Sequence, residues 1–277
     1  MQHLQWFPGH MTAAVRMMEE NLKAVDGVMM VLDARAPRAS INNKLSKMFS
    51  GKKILYVLNK SDLISRADAL RTVKEFAKEG KTAVSVSAMD KRAVDLLYSE
   101  IFNLLKDKVE KYKSKGIFKP IRIMVTGIPN TGKSTIINAL CGGKKAVTGN
   151  KAGVTKGKQW VRIKELELLD TPGTMPPAFE NQTLAKHLAY IGCMNDANID
   201  FNDLAFELIA ELKEKYPQLL KDKYSLDDLD VETLEIFDEI CLRRGFLRRG
   251  GEYDYERLAT AIIDDLRKGR IGKIIFD

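Results

Sequence analysis

Short apolar runs rich in β-branched residues alternate with stretches of helical periodicity through the first 170 residues. Six of these runs predict strands, at 27–33, 53–58, 82–86, 121–126, 159–163 and 167–170. The spacing of apolar residues between them predicts helices at about 12–25, 38–50, 65–79, 89–113 and 133–141. Strands that alternate with helices are typical of a mostly parallel sheet covered by helices, so we predict an α/β fold with a six-stranded sheet.

The pattern changes after Gly173, where two consecutive prolines interrupt the chain and no further strand run follows. Apolar residues then recur at helical spacing around 204–212 and around 258–266. We therefore predict two domains. The first is an α/β domain over 1–177, with a helical segment at its start, and the second is a small all-helical domain over 178–277.

The composition is that of a soluble globular protein, with 277 residues of which 45% are hydrophobic and 30% charged. The first residues lack the apolar run of a signal peptide, and apolar stretches such as 28–32 are too short to span a bilayer. Three cysteines lie far apart, which favours reduced thiols over a disulfide or a zinc site. We therefore expect a cytoplasmic, monomeric protein without a membrane partner.

The net charge of +8 is unevenly distributed along the chain. Residues 1–179 carry 31 Lys and Arg against 16 Asp and Glu, whereas residues 180–277 carry 14 against 21. A strongly basic front part fits a polyanionic partner such as a nucleic acid. A lysine-rich solvated surface explains the same charge equally well, so charge alone does not decide between the two interpretations.

A phosphate-binding loop is predicted at residues 127–134, whose sequence GIPNTGKS fits G-x-x-x-x-G-K-[ST]. A strand run precedes it and a helical run follows, the context in which this motif cradles phosphates at a helix N-terminus. Lys133 is expected to reach the β- and γ-phosphates and to act in catalysis, and the Ser134 hydroxyl to bind Mg²⁺. The residues expected to contact phosphate are Asn130, Thr131, Gly132, Lys133, Ser134, Thr135 and, from a later segment, Gly173.

The sequence NKSD, which begins at Asn59, indicates recognition of guanine. It follows a predicted strand, at the end where ligands bind in open α/β sheets. The Asp62 carboxylate can accept hydrogen bonds from guanine N1–H and the 2-amino group, a donor pair that adenine lacks. Asn59 and Lys60 are expected to tie this loop to the phosphate loop. Ser87 and Ala88 fit the accompanying base-contact loop.

The sequence DTPG, from Asp170 to Gly173, follows another apolar run. Asp170 suits an acidic role beside Mg²⁺, through water, and the Gly173 N–H can contact the γ-phosphate. Thr155 lies between the phosphate loop and Asp170 and is the candidate for a second Mg²⁺ hydroxyl on a mobile first switch. Together the four motifs predict an enzyme that binds GTP and GDP and hydrolyses GTP with Mg²⁺.

The base-recognition motif precedes the phosphate loop, whereas most GTPases have the opposite order, so the domain is a circular permutation. The sequences WFPGHM at residues 6–11 and RGFLRRGGEYD at residues 244–254 resemble the ribosome biogenesis GTPase A family. The resemblance covers essentially the whole chain. It implies a factor that binds the immature large (50S) ribosomal subunit, assists its late maturation and has a GTPase activity stimulated by the ribosomal particle.

The position after the DxxG glycine holds Thr174, where many GTPases place a water-positioning glutamine and the family usually has an aliphatic residue. The family resemblance assigns the role of orienting the water to His10, whose imidazole can accept a proton near working pH. Asn130 resembles the asparagine with which some GTPases hold K⁺ beside the phosphates, and a monovalent cation there would compensate transition-state charge.

Two further interpretations remain open from the sequence. The chain fits a permuted GTPase that serves another RNA or protein partner, and it fits a nucleotide-gated RNA-binding scaffold whose turnover is incidental. The acidic tail contains basic clusters, which the family resemblance assigns to rRNA and which otherwise form a solvated face: Arg243, Arg244, Arg248, Arg249, Arg267, Lys268, Arg270 and Lys273. The segment after DTPG leads into this tail, so a change at the γ-phosphate could reorient it.

Overall fold

A computed structural model of the chain describes residues 10–142, 159–176, 179 and 181–277, with the backbone alone for His10 and Gln159. The strands in these residues are β1 (Gly27–Asp33), β2 (Lys53–Asn59), β3 (Thr82–Ser85), β4 (Ile121–Thr126), β5 (Gln159–Ile163) and β6 (Leu166–Asp170). They form a sheet in the order β3-β2-β1-β4-β6-β5. All neighbours pair in parallel except β5, which runs antiparallel to β6, so the predicted mostly parallel sheet is confirmed.

The helices cover the sheet and then continue as a helical region. They are α1 (His10–Asn21), α2 (Asn43–Met48), α3 (Arg66–Lys78), α4 (Arg92–Leu104), α5 (Lys106–Ser114), α6 (Lys133–Leu140), α7 (Gln182–Tyr190), α8 (Phe201–Lys215), α9 (Pro217–Tyr224), α10 (Thr233–Arg244) and α11 (Tyr255–Arg267). The single helix predicted over 89–113 is wrong, because buried Leu105 adopts φ −103° and ψ 19° and separates α4 from α5. The helix predicted over 38–50 is shorter, since Asn42 caps the N-terminus of α2 by accepting from the N–H groups of Lys44 and Leu45.

Strand β1 is buried on both faces, as expected for a central strand of a covered parallel sheet. Met29 and Val31 pack into one apolar layer together with residues of α4 and α6. Met30 and Leu32 point the other way and pack with residues of α1, α2 and α3. The alternation has a period of two, so a single strand contributes to both layers.

The region after residue 181 is helical, as predicted. Phe206, which was predicted to lie on the apolar face of α8, lies off that face and is 39% exposed. The other residues predicted to form the two apolar faces are buried: Leu204, Leu208, Ile209 and Leu212 on α8, and Leu258, Ile262, Ile263 and Leu266 on α11. Their core is continuous with Met11, Ala36 and Ile128 of the α/β part. The predicted domain boundary at residues 177 and 178 falls outside the described residues and stays a prediction. No helix in the described part of the chain is long and apolar enough to cross a lipid bilayer.

Candidate guanine-nucleotide site

The carboxyl ends of β1, β2, β4 and β6 meet at one edge of the sheet and carry the predicted motifs. Asp33 at the end of β1 is in register with Asn59 at the end of β2. Val125 of β4 is in register with Asp170 of β6. Strand β4 ends one residue after Val125, and the phosphate loop follows directly. The base motif, the phosphate loop and DTPG therefore come together, although about 110 residues separate the first motif from the last.

The phosphate loop closes around two positions at which no side chain fits. Gly132 has φ 92°, and a Cβ there would lie 2.2 Å from Asn59 Nδ2. Gly173 approaches the loop so closely that a Cβ would lie 2.8 Å from the backbone N of Pro129 and 2.9 Å from Lys133 Nζ. Helix α6 begins directly after Gly132, so its first N–H groups face the same space.

Lys133 is buried inside the loop, where its Nζ donates to the Ile128 carbonyl at 2.8 Å. Burial lowers the pKa of Lys133 to about 8, although the Asp170 charge acts in the opposite direction. Burial likewise raises the pKa of Asp170, and the Lys133 charge limits that rise. Asp170 Oδ1 is buried without a hydrogen-bond partner among the described residues. A buried carboxylate oxygen without a donor is suited to accept a hydrogen bond from a water molecule that is bound to Mg²⁺.

The base-recognition loop is tied to the phosphate loop as the sequence predicts. Asn59 Nδ2 donates to the Thr131 carbonyl at 2.9 Å. Lys60 Nζ donates to the Asn130 carbonyl at 2.8 Å. The Ala88 N–H donates to Asn59 Oδ1 at 3.1 Å, so the amide of Asn59 links all three segments. These bonds fix the phosphate loop relative to the base loop.

A buried ion network beside Lys60 was not predicted from the sequence. The Asp33 carboxylate, which is fully buried, pairs with Arg35 Nη2 at 2.8 Å and with Lys60 Nζ at 2.8 Å. Burial alone would raise the pKa of Asp33, but the charges and hydrogen bonds of Arg35 and Lys60 outweigh it and hold that pKa well below its usual range. Its signal in the sequence was an acidic residue at the end of a fully apolar strand, next to the strand that carries the base motif.

The DTPG segment packs against the same loops. Thr171 Oγ1 donates to the Val125 carbonyl at 2.8 Å, and the Thr174 N–H donates to the Gly127 carbonyl at 3.2 Å. The Thr174 side chain is fully buried, and its hydroxyl has no hydrogen-bond partner among the described residues. The backbone after Gly173 is therefore held beside the phosphate loop.

Comparison with known proteins agrees with this arrangement. The family described as 50S ribosome-binding GTPase matches residues 122–234. Ribosome biogenesis GTPase A of Bacillus cereus is 37% identical over 276 residues, which cover 99% of this chain and 93% of that protein. The chain belongs to the ribosome biogenesis GTPase A family. It is a GTPase of ribosome biogenesis, which binds guanine nucleotides and hydrolyses GTP.

Two solved structures share the fold of this ribosome biogenesis GTPase. GDP-bound TM YlqF aligns with a TM-score of 0.67 and 26% identity, over 95% of this chain and 98% of that one. GNP-bound YlqF from T. maritima aligns with a TM-score of 0.65 and 26% identity, over 96% of this chain and 97% of that one. The circular permutation and the C-terminal helical region are thus confirmed.

The described residues do not include every position that was predicted to act in this ribosome biogenesis GTPase. Thr155 and residues 6–9 lie outside the described residues, as does the side chain of His10. Asn130 has φ 60°, and its Nδ2 donates to the Gly192 carbonyl at 2.8 Å. That bond links the phosphate loop to the turn after α7, and the assignment of Asn130 to K⁺ stays a prediction.

Most of the basic residues in the tail are already paired. Arg267 bonds the Ala189 and Tyr190 carbonyls at 2.9 and 3.1 Å and pairs with Asp196 at 2.7 Å, so it acts as a structural link. Six others have polar partners within the chain: Arg243, Arg244, Arg248, Lys268, Arg270 and Lys273. Because acids or carbonyls engage these side chains, contact with rRNA would require them to exchange weak partners within the chain for phosphates, and the assignment of these clusters to rRNA stays a prediction.

We expect the affinity for GDP to fall as the pH rises through about 8. Burial holds the pKa of Lys133 at about 8 in the protein without nucleotide, and a nearby diphosphate raises it, so binding takes up a proton above that pH. Below about pH 7, Lys133 is charged in both states and its contribution to affinity is constant. Titration calorimetry in buffers of different ionisation enthalpy measures the proton uptake. Lys133→Arg, which stays charged, should abolish that uptake; if it persists, another group is responsible.

Proposed function

We propose that this GTPase binds an immature large (50S) ribosomal subunit, promotes its late maturation, and is stimulated in GTP hydrolysis by that particle. Two similarities support the choice of partner: the relatives are ribosome biogenesis GTPases, and the matching family is that of 50S ribosome-binding GTPases. In this proposal the nucleotide state controls how long the factor stays on the particle.

The observation that carries the proposal is the contact between the start of α1 and the DTPG segment. Met11 is fully buried, and its Sδ accepts from the Met175 N–H at 3.4 Å. His10 precedes Met11, so its backbone lies beside the segment that follows Gly173. The position after Gly173 is occupied by Thr174, which is not a glutamine. A hydrolytic site whose water-positioning group comes from a separate N-terminal segment can be stimulated by a partner that places this group against the nucleotide.

The proposed catalytic roles are those predicted from the sequence. His10 orients the attacking water, and Lys133 stabilises charge that develops on the phosphates. Ser134 and Thr155 would supply hydroxyls to Mg²⁺, with Asp170 acting through water, and the bound ion would supply charge neutralisation for the phosphates. Asn130 is proposed to hold K⁺ through the amide oxygen, because its nitrogen donates to Gly192.

The bonds between the base loop and the phosphate loop support the proposed binding roles. Asp62 recognises guanine, while Asn59 and Lys60 hold its loop against the phosphate loop. Ser87 and Ala88 contact the base from the neighbouring loop. Phosphate contacts come from the loop and the start of α6, with Gly173 opposite: Asn130, Thr131, Gly132, Lys133, Ser134 and Thr135.

The lysine-rich end of α5 and the loop that follows it support contact with RNA. Lys111, Lys113, Lys115 and Lys119 are exposed and have no ion pair within the described part of the chain. Phe118 stands among them with its whole side chain in solvent, 102% exposed. Unpaired lysines attract phosphates, and an exposed aromatic ring stacks on an unpaired base, which is the combination used by proteins that bind RNA loops.

The decisive experiment is GTP turnover with and without large ribosomal subunits, in K⁺ and in Na⁺, with small subunits as the control. Strong stimulation by large subunits alone is expected, greater in K⁺. His10→Ala should still bind the particle with GTP but lose the stimulation. Equal stimulation in both cations would discard the role of K⁺, and no stimulation by large subunits would overturn the proposed partner.

Replacing Phe118 with alanine should weaken binding to the large subunit by roughly 5- to 150-fold, because stacking on a base contributes about 1–3 kcal/mol. Intrinsic GTP hydrolysis should not change. Leu234→Ala, at an apolar residue of α10 that is 52% exposed, is the matched control. Sedimentation with purified subunits measures both variants. Equal binding by Phe118→Ala and Leu234→Ala would remove this surface from the proposal.

A further inference from the structure

The segment 271–277, which follows α11, lies against the loop that carries the guanine motif. The Ile274 N–H donates to the Leu63 carbonyl at 3.3 Å. Lys273 Nζ donates to the carbonyl of Asp62. Gly269, just before the segment, also touches this loop, since a Cβ there would meet Leu63 Cδ2 at 2.7 Å. The carbonyls of Asp62, the last residue of the base-recognition motif, and of Leu63, which follows it, therefore have partners about 210 residues further along the chain.

The same segment is anchored firmly on its other side. The Asp277 carboxylate accepts the N–H groups of Arg38 and Ala39 at 2.7 and 2.9 Å. The Phe276 N–H donates to the Arg35 carbonyl at 2.7 Å. Ile275 is buried in the apolar layer of α1 to α3, whereas Phe276 is buried in the core of the helical region. Successive side chains thus fasten the segment to both parts of the molecule.

The ion network behind Lys60 reaches the helical region as well. Arg35, which pairs with Asp33, also donates from Nη2 to the Ile191 carbonyl at 3.2 Å and from Nη1 to the Arg267 carbonyl at 3.3 Å. Asp33 in turn holds Lys60 at 2.8 Å. The helical region therefore contacts the base loop in two ways. It reaches Lys60 through Arg35 and Asp33, and it reaches Asp62 and Leu63 through segment 271–277.

We infer that segment 271–277 is a positioning element for the guanine-recognition loop and sets the affinity and base selectivity of the GTPase. The Asp62 side chain is exposed, so packing does not fix its direction. Its backbone is fixed instead by the Ser61 N–H, which donates to the Val86 carbonyl at 3.1 Å, and by the contacts from segment 271–277. Removing the second support lets the carboxylate move away from the edge of the base, and a shift of about 1 Å is enough to weaken a specific contact.

The inference is tested with Lys273→Met and Asp277→Ala, alone and combined. We expect the KM for GTP and the Kd for GDP to rise roughly tenfold in the double variant, the scale of one or two lost hydrogen bonds, with kcat unchanged. The preference for GDP over inosine diphosphate should narrow, because only guanine carries the 2-amino group that Asp62 recognises. Asp277→Asn, which keeps one acceptor oxygen, should be intermediate.

Lys268→Met is the matched control, since Lys268 pairs with Asp264 on α11 at 3.0 Å and does not contact the base loop. A purely structural role would lower kcat and the fraction of active protein while leaving KM and base preference as they are, and that result would overturn the inference. Linkage adds a second readout: saturating GDP should slow amide exchange at Ile274 and Phe276. Exchange that ignores GDP would also overturn it.

Discussion

Replacing Lys133 with methionine is expected to lower the rate of GTP hydrolysis by roughly a hundred- to a thousandfold, the scale on which single charge-stabilising groups act in transition states. The ammonium group lies inside the phosphate loop, 2.8 Å from the Ile128 carbonyl, and Gly173 approaches it from the opposite side. No other lysine of the described residues occupies this position. Single-turnover hydrolysis at saturating GTP measures the effect on the chemical step.

Loss of folding is not expected to explain this result. Burial lowers the pKa of Lys133 to about 8, so its charge costs free energy in the folded protein, and replacing it with an apolar side chain of similar length offsets part of what is lost with the Ile128 hydrogen bond and the Asp170 interaction. Urea unfolding in the absence of nucleotide measures how Lys133→Met changes the free energy of unfolding. Lys52→Met is the control, because Lys52 Nζ also donates to a backbone carbonyl, that of Val25 at 2.7 Å, away from the site. Hydrolysis by Lys133→Met at the rate of Lys52→Met would contradict the catalytic role.

Replacing Asp62 with asparagine should exchange guanine for xanthine as the preferred base. The carboxylate accepts from N1–H and from the 2-amino group of guanine, whereas an amide offers one acceptor and one donor. Xanthine carries a carbonyl at C2, which matches the new donor. We expect the affinity for GDP to fall about a thousandfold, because two charge-assisted hydrogen bonds are lost, and the affinity for xanthosine diphosphate to rise.

Competition between the two diphosphates for a fluorescent nucleotide measures this exchange. Asp90→Asn is the control, since Asp90 is an acidic residue two positions after Ala88, and it pairs with Arg92 at 2.9 Å. A variant at Asp62 that keeps its preference for GDP would show that another group reads the base. Weaker binding of both diphosphates to the same extent would mean that the loop had moved and that specificity had not changed.

The sequence predicted the parts of this molecule whose signals are local. Strands β1, β4 and β5 begin and end at the predicted residues, because each is an apolar run bounded by polar or glycine positions. The bonds of Asn59 and Lys60 to the phosphate loop were also predictable, since the chemistry of the motif requires them. The break at Leu105 was not, because the apolar spacing continues through it and only burial in the tertiary core distinguishes that residue.

The contacts of segment 271–277 had no local signal either. Asp277 binds backbone groups of Arg38 and Ala39, about 240 residues earlier, and a backbone N–H leaves no trace in residue type. The pairing of the basic residues in the tail had no local signal for a related reason. The sequence shows the charge of Arg267, but its pairing with Asp196 and two carbonyls depends on the packing of α7 against α11.

During synthesis, the guanine loop of this chain is made long before the segment that rests against it. Asp62 and Asp277 are 215 residues apart, which takes roughly 10–40 s at ordinary rates of translation. Until residues 121–134 are made, β1 to β3 have neither β4 nor a phosphate loop beside them, and until residues 273 and 274 are made the carbonyls of Asp62 and Leu63 lack these partners. A nascent chain that has exposed only the guanine loop therefore cannot retain GTP. Nucleotide capture must therefore wait for the phosphate loop, and full affinity must wait for the segment that rests against the guanine loop.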